Sequence, residues 1–127
     1  MSHIEVTLTV VETGSVHATQ GFRKTRDEKY HYKFDPEIVN VTECNTTVRY
    51  QLVKECSQKG YTVANLYATP NTQLSEPTVG ECGSYIEVTH SNTHQCLLSV
   101  LVTVNDSEKG LAQCDPQMTN DPPPGGF

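Results

Sequence analysis

The sequence predicts an all-β protein, an antiparallel β-sandwich of seven or eight strands followed by a flexible C-terminal tail. Short segments alternate apolar with polar residues, the two-residue period of a strand that buries one face. Clusters of Gly, Pro, Asn and Ser separate those segments, so the strands are brief and the turns frequent. The composition agrees, since hydrophobic residues make up only 35% and no Trp is present, while Val, Thr and Tyr are common. β-Branched and aromatic residues pack well on a pleated surface, and a two-layer sandwich needs only every second strand residue to be apolar. At 127 residues the chain makes one domain.

The first strand covers residues 3–11, with Ile4, Val6, Leu8 and Val10 on one face and Glu5, Thr7 and Thr9 on the other. Residues 14–21 form a turn region. Residues 29–34 then align Tyr30, Tyr32 and Phe34, and Asp35-Pro36 ends that strand. Proline lacks an N–H and restricts the residue before it. Residues 37–43 resume with Ile38, Val39 and Val41, and residues 46–54 with Val48, Tyr50 and Leu52. After a turn at 57–60 comes a strand at 61–69, stopped by Pro70-Asn71. Residues 71–83 are a polar loop with room for a short edge strand. Residues 84–90 alternate around Ile86 and Val88, and 90–94 is a turn. Residues 95–105 are the most apolar run, with Cys96, Leu98, Val100, Val102 and Val104 on one face, and read as a central strand. The domain is expected to span residues 1–112. Residues 113–127 carry Asp115-Pro116, three consecutive prolines from Pro122 and Gly125-Gly126, and read as a Pro/Gly-rich tail with little to bury.

The net charge is -6 with a pI of about 5.2. A nucleic-acid surface needs a basic stripe, and the cluster Arg23, Lys24, Arg26 and Lys29 is interrupted by Asp27 and Glu28. It reads as a solvated strand or loop. No signal peptide and no apolar run of membrane-spanning length is visible, so no membrane partner and a cytoplasmic location are expected. The 5 cysteines, at 44, 56, 82, 96 and 114, are odd in number and irregularly spaced, which suits free thiols in a reducing compartment.

Four kinds of site chemistry are weighed. The segment from Phe34 to Val41 with Thr47 to Tyr50 resembles the first half of a cupredoxin sandwich, which supports a cupredoxin-like or immunoglobulin-like topology. A type 1 copper site needs a histidine between its Cys and Met, and none separates Cys114 from Met118, so no copper is expected. His90, His94 and Cys96, with Cys82 upstream, make one loose group rather than two tight zinc-ligand pairs. They read as turn histidines in solvent and a cysteine on a core face, and no cofactor or metal is expected. The cysteines lack a local base that would activate a thiolate.

The fourth is acid beside proline: Asp35-Pro36, Glu76-Pro77, Asp115-Pro116 and Asp121-Pro122. An Asp carboxyl can attack its own main-chain carbonyl to form a cyclic anhydride, with the proline nitrogen as leaving group. A second carboxyl close by would share a proton and supply it. The competing reading is that these pairs only end strands and start turns.

Asp35-Pro36 at a strand boundary and Glu76-Pro77 in a mid-chain loop, in an acidic β-rich chain of this size, resemble the DP-EP family of small bacterial proteins. The resemblance covers residues 1 to about 112. It implies an aspartic-type, self-processing peptidase that cleaves in its own C-terminal tail, with Asp35 as a catalytic carboxylate and Asp115-Pro116 at or beside the broken bond. No Asp-Thr/Ser-Gly motif of ordinary aspartic proteases occurs, which leaves the second group open among Asp115, Glu76, Glu37 and Lys109. The rival expectation is a non-enzymatic binding or structural module, with residues 121–127 as a docking peptide anchored by Phe127. Exposed sandwich edges are also where two copies would pair as a homodimer.

Overall fold

The alternation at the N-terminus folds as a strand, β1 (Ser2–Glu12), which buries Val6, Leu8 and Val10 and turns Glu5 and Thr7 outward. The computed structural model describes residues 2–14, 21–96, 98–107 and 110–123. The other strands are β2 (Arg23–Lys24), β3 (Tyr30–Asp35), β4 (Ile38–Val41), β5 (Thr46–Leu52), β6 (Tyr61–Thr69), β7 (Thr78–Val79), β8 (Tyr85–His90), β9 (Ser99–Asp106), β10 (Gly110–Cys114) and β11 (Gln117–Asn120). One short helix, α1 (Lys54–Gln58), follows β5.

A 6-stranded sheet runs β2-β3-β1-β5-β8-β7, a 3-stranded sheet runs β10-β9-β6, and β11 pairs with β4 alone. One apolar cluster joins all three. It takes Leu8, Tyr32 and Ile86 from the large sheet, Val63 and Val102 from the second, and Val39, Val41 and Met118 from the third. The Tyr30 ring stands edge-on to Tyr61 with centroids 6.3 Å apart, and its hydroxyl donates to Asp106 Oδ2 at 2.9 Å. A tyrosine of one sheet is thereby tied to strands of the other. The expected all-β sandwich is borne out. Its pairing is mixed, because β1–β5 and β4–β11 are parallel.

Three details differ from expectation. Residues 54–58 form α1, whose Cys56 is buried with its sulfur 3.3 Å from both the N and O of Val10. The helix reverses the chain between sheets and plugs the end of the core. The central strand β9 lies between β10 and β6 as expected, but it starts at Ser99, so Cys96 precedes it and is half-buried.

The third difference is the tail. The expected boundary after residue 112 falls inside β10, and residues 113–120 are folded. Ala112, Cys114, Pro116, Met118 and Asn120 are all buried, an unbroken alternation. A proline and an asparagine at two inward positions hide that pattern from a composition-based reading. Between Cys114 and Gln117 the chain leaves β9 and joins β4. Because β10 departs at the Cys114–Val102 pair, the β9 residues Ser99 to Leu101 have no strand partner on that edge among the described residues. The fork between β9 and β11 opens there.

Candidate functional site

Asp115 sits at the apex of this fork, held by two neighbours from the large sheet. Tyr32 points inward from β3, and Arg23 lies opposite it on β2. The Arg23 guanidinium is 6.0 Å from the centroid of the Tyr32 ring, at the outer range of a cation–π contact. Arg23 Nη1 donates to the Asp115 carbonyl oxygen at 3.5 Å, and the Asp115 main-chain N–H lies beside the Tyr32 hydroxyl. Burial pushes the Tyr32 phenol up, and that amide offsets part of the effect. Asp115 is half-buried and Pro116 buried. The carbonyl of the Asp115-Pro116 bond therefore faces a cationic donor, at a long 3.5 Å and from an exposed side chain.

A cleft of about 780 Å³ occupies the fork. Arg23, Arg26 and Asp115 lie along it, as do Gln95 and Cys96 from the segment before β9 and all of β11. The basic cluster, expected as a solvated loop, thus contributes two arginines to this cleft.

The other acid–proline pairs are placed elsewhere. Asp35 ends β3 with its side chain exposed, on the face opposite Tyr32, and its carbonyl accepts from Thr7 Oγ1 at 3.1 Å. Neither cleft lined by Asp115 includes Asp35 or Glu76. Glu76 borders a separate cleft with Tyr67, Leu74 and Pro77. Glu37 is exposed just before β4, and Lys109 is outside the described residues. One relation does link the Asp-Pro pairs. The parallel register sets Ile38 beside Gln117, so Asp35-Pro36 and Asp115-Pro116 enter the β4–β11 pair from the same end. Residues 124–127, which include the expected Phe127 anchor, are outside the described residues.

A buried polar network fastens β11 at its other end, and sequence reasoning missed it. Asn120 Nδ2 donates to Asn92 Oδ1 at 2.9 Å and to the His94 carbonyl at 2.8 Å, while its Oδ1 accepts from the Cys96 N–H. Asn92 Nδ2 donates to the carbonyls of Val41 and Asp121 at 3.2 and 3.0 Å. Asn92 has a φ of 54°, a left-handed conformation that Asn tolerates better than most residues. Gln73 Oε1 gathers the N–H groups of Thr93 and His94. His90 is a correction: it was read as a turn histidine in solvent, yet it ends β8 with 0% exposure. Its Nδ1 accepts from the Asn92 N–H at 2.9 Å. The continuing alternation Ile86, Val88, His90 was the available signal.

His94 and Cys82 are exposed whereas His90 is buried, and among the described residues no three His, Cys, Asp or Glu side chains are grouped to hold a metal ion. All 5 cysteines are free thiols, and burial pushes the Cys56 and Cys114 thiols up, away from reactive thiolate. Among the described residues no helix is long and apolar enough to cross a membrane. No family model matches the chain, and no curated protein matches it.

Proposed function

We propose that the chain is a self-processing peptidase that hydrolyses its own Asp115-Pro116 bond. The observation that carries this reading is the Arg23 guanidinium 3.5 Å from the carbonyl oxygen of that bond. In the proposed reaction an Asp115 carboxyl oxygen attacks its own main-chain carbonyl carbon. Negative charge develops on the carbonyl oxygen, where Arg23 donates. The C–N bond then breaks, the carboxyl proton passes to the Pro116 nitrogen, and a five-membered anhydride remains. One water opens it, leaving Asp115 as a new C-terminus and Pro116 as a new N-terminus. A positioned donor at a developing oxyanion is worth about 10²–10³-fold.

The resemblance to the DP-EP family supports the same reading and adds Asp35 as a second carboxyl. The shared end of the β4–β11 pair favours a role for Asp35, and its position across β3 from Tyr32 weighs against direct contact. The substrate segment differs from a loose tail. Residues 116–120 belong to the sandwich, so the bond is attacked where it is held.

Denaturing intact-mass analysis over days from pH 4 to 8 tests the proposal. The expected products are residues 1–115 and 116–127, forming faster toward acid, because the departing Pro116 nitrogen must take up a proton. Asp115→Ala should abolish the split, and Arg23→Ala should slow it, by less than the about 10²-fold of a short, buried oxyanion donor. Asp35→Ala should leave the rate unchanged if Asp115 alone supplies the proton, and a slowed split would assign Asp35 the second-carboxyl role that the resemblance implies. Wild type that stays whole throughout, or an Asp115→Ala variant that cleaves at the wild-type rate, overturns the proposal and leaves the binding-module reading.

A further inference from the structure

The fork has features that self-cleavage does not use. Among the described residues β11 pairs with β4 and with no other strand, and all four of its residues, Gln117 to Asn120, border the cleft. Across the cleft, Ser99 and Val100 of β9 also lack a strand partner on that side. Unpaired strand edges are templates for a further strand. Between the two edges the half-buried Leu98 supplies apolar surface, and the buried Val100 and Met118 lie beneath it. Arg23 and Arg26 stand at one end, and neither forms an ion pair with a carboxylate among the described residues. In a chain of net charge -6, two such arginines beside an apolar floor are a local exception.

We propose that this cleft binds an extended peptide carrying acidic side chains. The peptide adds as a strand along the free edge of β11, rests an apolar residue against Leu98, and sets a carboxylate against Arg23 and Arg26. The 4 residues of β11 offer about 13 Å of edge at ~3.3 Å per residue, which suits a short segment rather than a folded partner surface. A bidentate guanidinium–carboxylate pair selects acidic over basic side chains. The open strand edge, which pairs with a peptide main chain, favours a peptide over a nucleic acid. None of this depends on whether the Asp115-Pro116 bond breaks.

The test uses full-length protein, checked by mass, with a fluorescein-labelled probe of sequence Thr-Val-Glu-Val-Glu-Val-Thr. Anisotropy should show saturable binding. Replacing both Glu by Lys in the probe should weaken it by about tenfold or more, as should Arg23→Ala or Arg26→Ala in the protein. Methylating the probe's alternate amide nitrogens should abolish binding, because strand addition needs those donors. In ¹⁵N-edited spectra the perturbed amides should be those of Ser99 to Leu101 and Gln117 to Asn120. The proposal fails if the probe does not saturate up to about 1 mM. It also fails if the Lys probe or a single-stranded oligonucleotide binds equally well, if both arginine variants bind as wild type does, or if the perturbed amides lie elsewhere.

Discussion

Two buried side chains carry polar atoms with no partner among the described protein groups, the Tyr50 hydroxyl and His90 Nε2. Tyr50 is 0% exposed, with its ring edge-on to Phe34 at a centroid distance of 5.6 Å, and burial pushes its phenol up. A buried hydroxyl left unpaired costs about 1–3 kcal/mol. Tyr50→Phe keeps the ring and removes the hydroxyl, so chemical unfolding should show a stabilised protein, by about 1 kcal/mol. A destabilised variant would instead place an internal water on that hydroxyl. For His90, Nδ1 accepts from Asn92, so the single proton sits on Nε2. A second proton would face the Asn92 N–H. Burial alone lowers the His90 pKa below 6.5, and its neighbours Thr46 on β5 and Leu74 carry no charge. The unfolded chain therefore takes up the proton first. Stability should be unaffected above about pH 6.5 and fall as the pH drops from there toward the lower folded value. His90→Gln should flatten that fall between roughly pH 7 and 5 in unfolding midpoints. An equal acid sensitivity in the variant would assign the effect to other groups.

At the scale of elements, β11 is the part whose attachment matters most. It is held by a parallel pairing with β4, by Met118 in the core, and by the Asn92–Asn120 contacts. Asn92→Ala and Asn120→Ala should each destabilise by about 1–3 kcal/mol, since each strands buried polar partners. The double variant should lose less than the sum, because the two side chains share a hydrogen bond. Additive losses would mean that the two act separately. The same attachment bears on self-processing. A fragment beginning at Pro116 would carry β11 and keep its pairing, so cleaved protein should elute as one species on native size exclusion and separate only when denatured. Spontaneous loss of the fragment under native conditions would show that the covalent link holds β11 in place.

At the scale of the molecule, the strands legible in the sequence are those with plain two-residue alternation. Residues 61–69 matched β6 at both ends, and β1, β5 and β8 fell within about two residues. α1 was hidden because its five residues are too few for a helical period, and only Cys56 points inward. β11 was hidden because Pro116 and Asn120 occupy inward positions where an apolar residue was sought. At the candidate site the chemistry of Asp115-Pro116 was readable, because it resides in adjacent residues. Arg23 was not, because its contact with Asp115 spans 92 positions in the chain.

The sequence by itself determined the strands that alternate plainly, such as β1, β5, β6 and β8, and which bonds are chemically weak, since periodicity and side-chain chemistry are local properties. The tertiary structure alone decided that β10 changes sheets at Asp115, that Arg23 meets its carbonyl, and that Asp35 and Glu76 lie outside the clefts it lines. Strand pairing is a competition among distant partners. A sheet edge accepts any strand of compatible register, so only the whole set of pairings shows which edges remain open and what stands beside them.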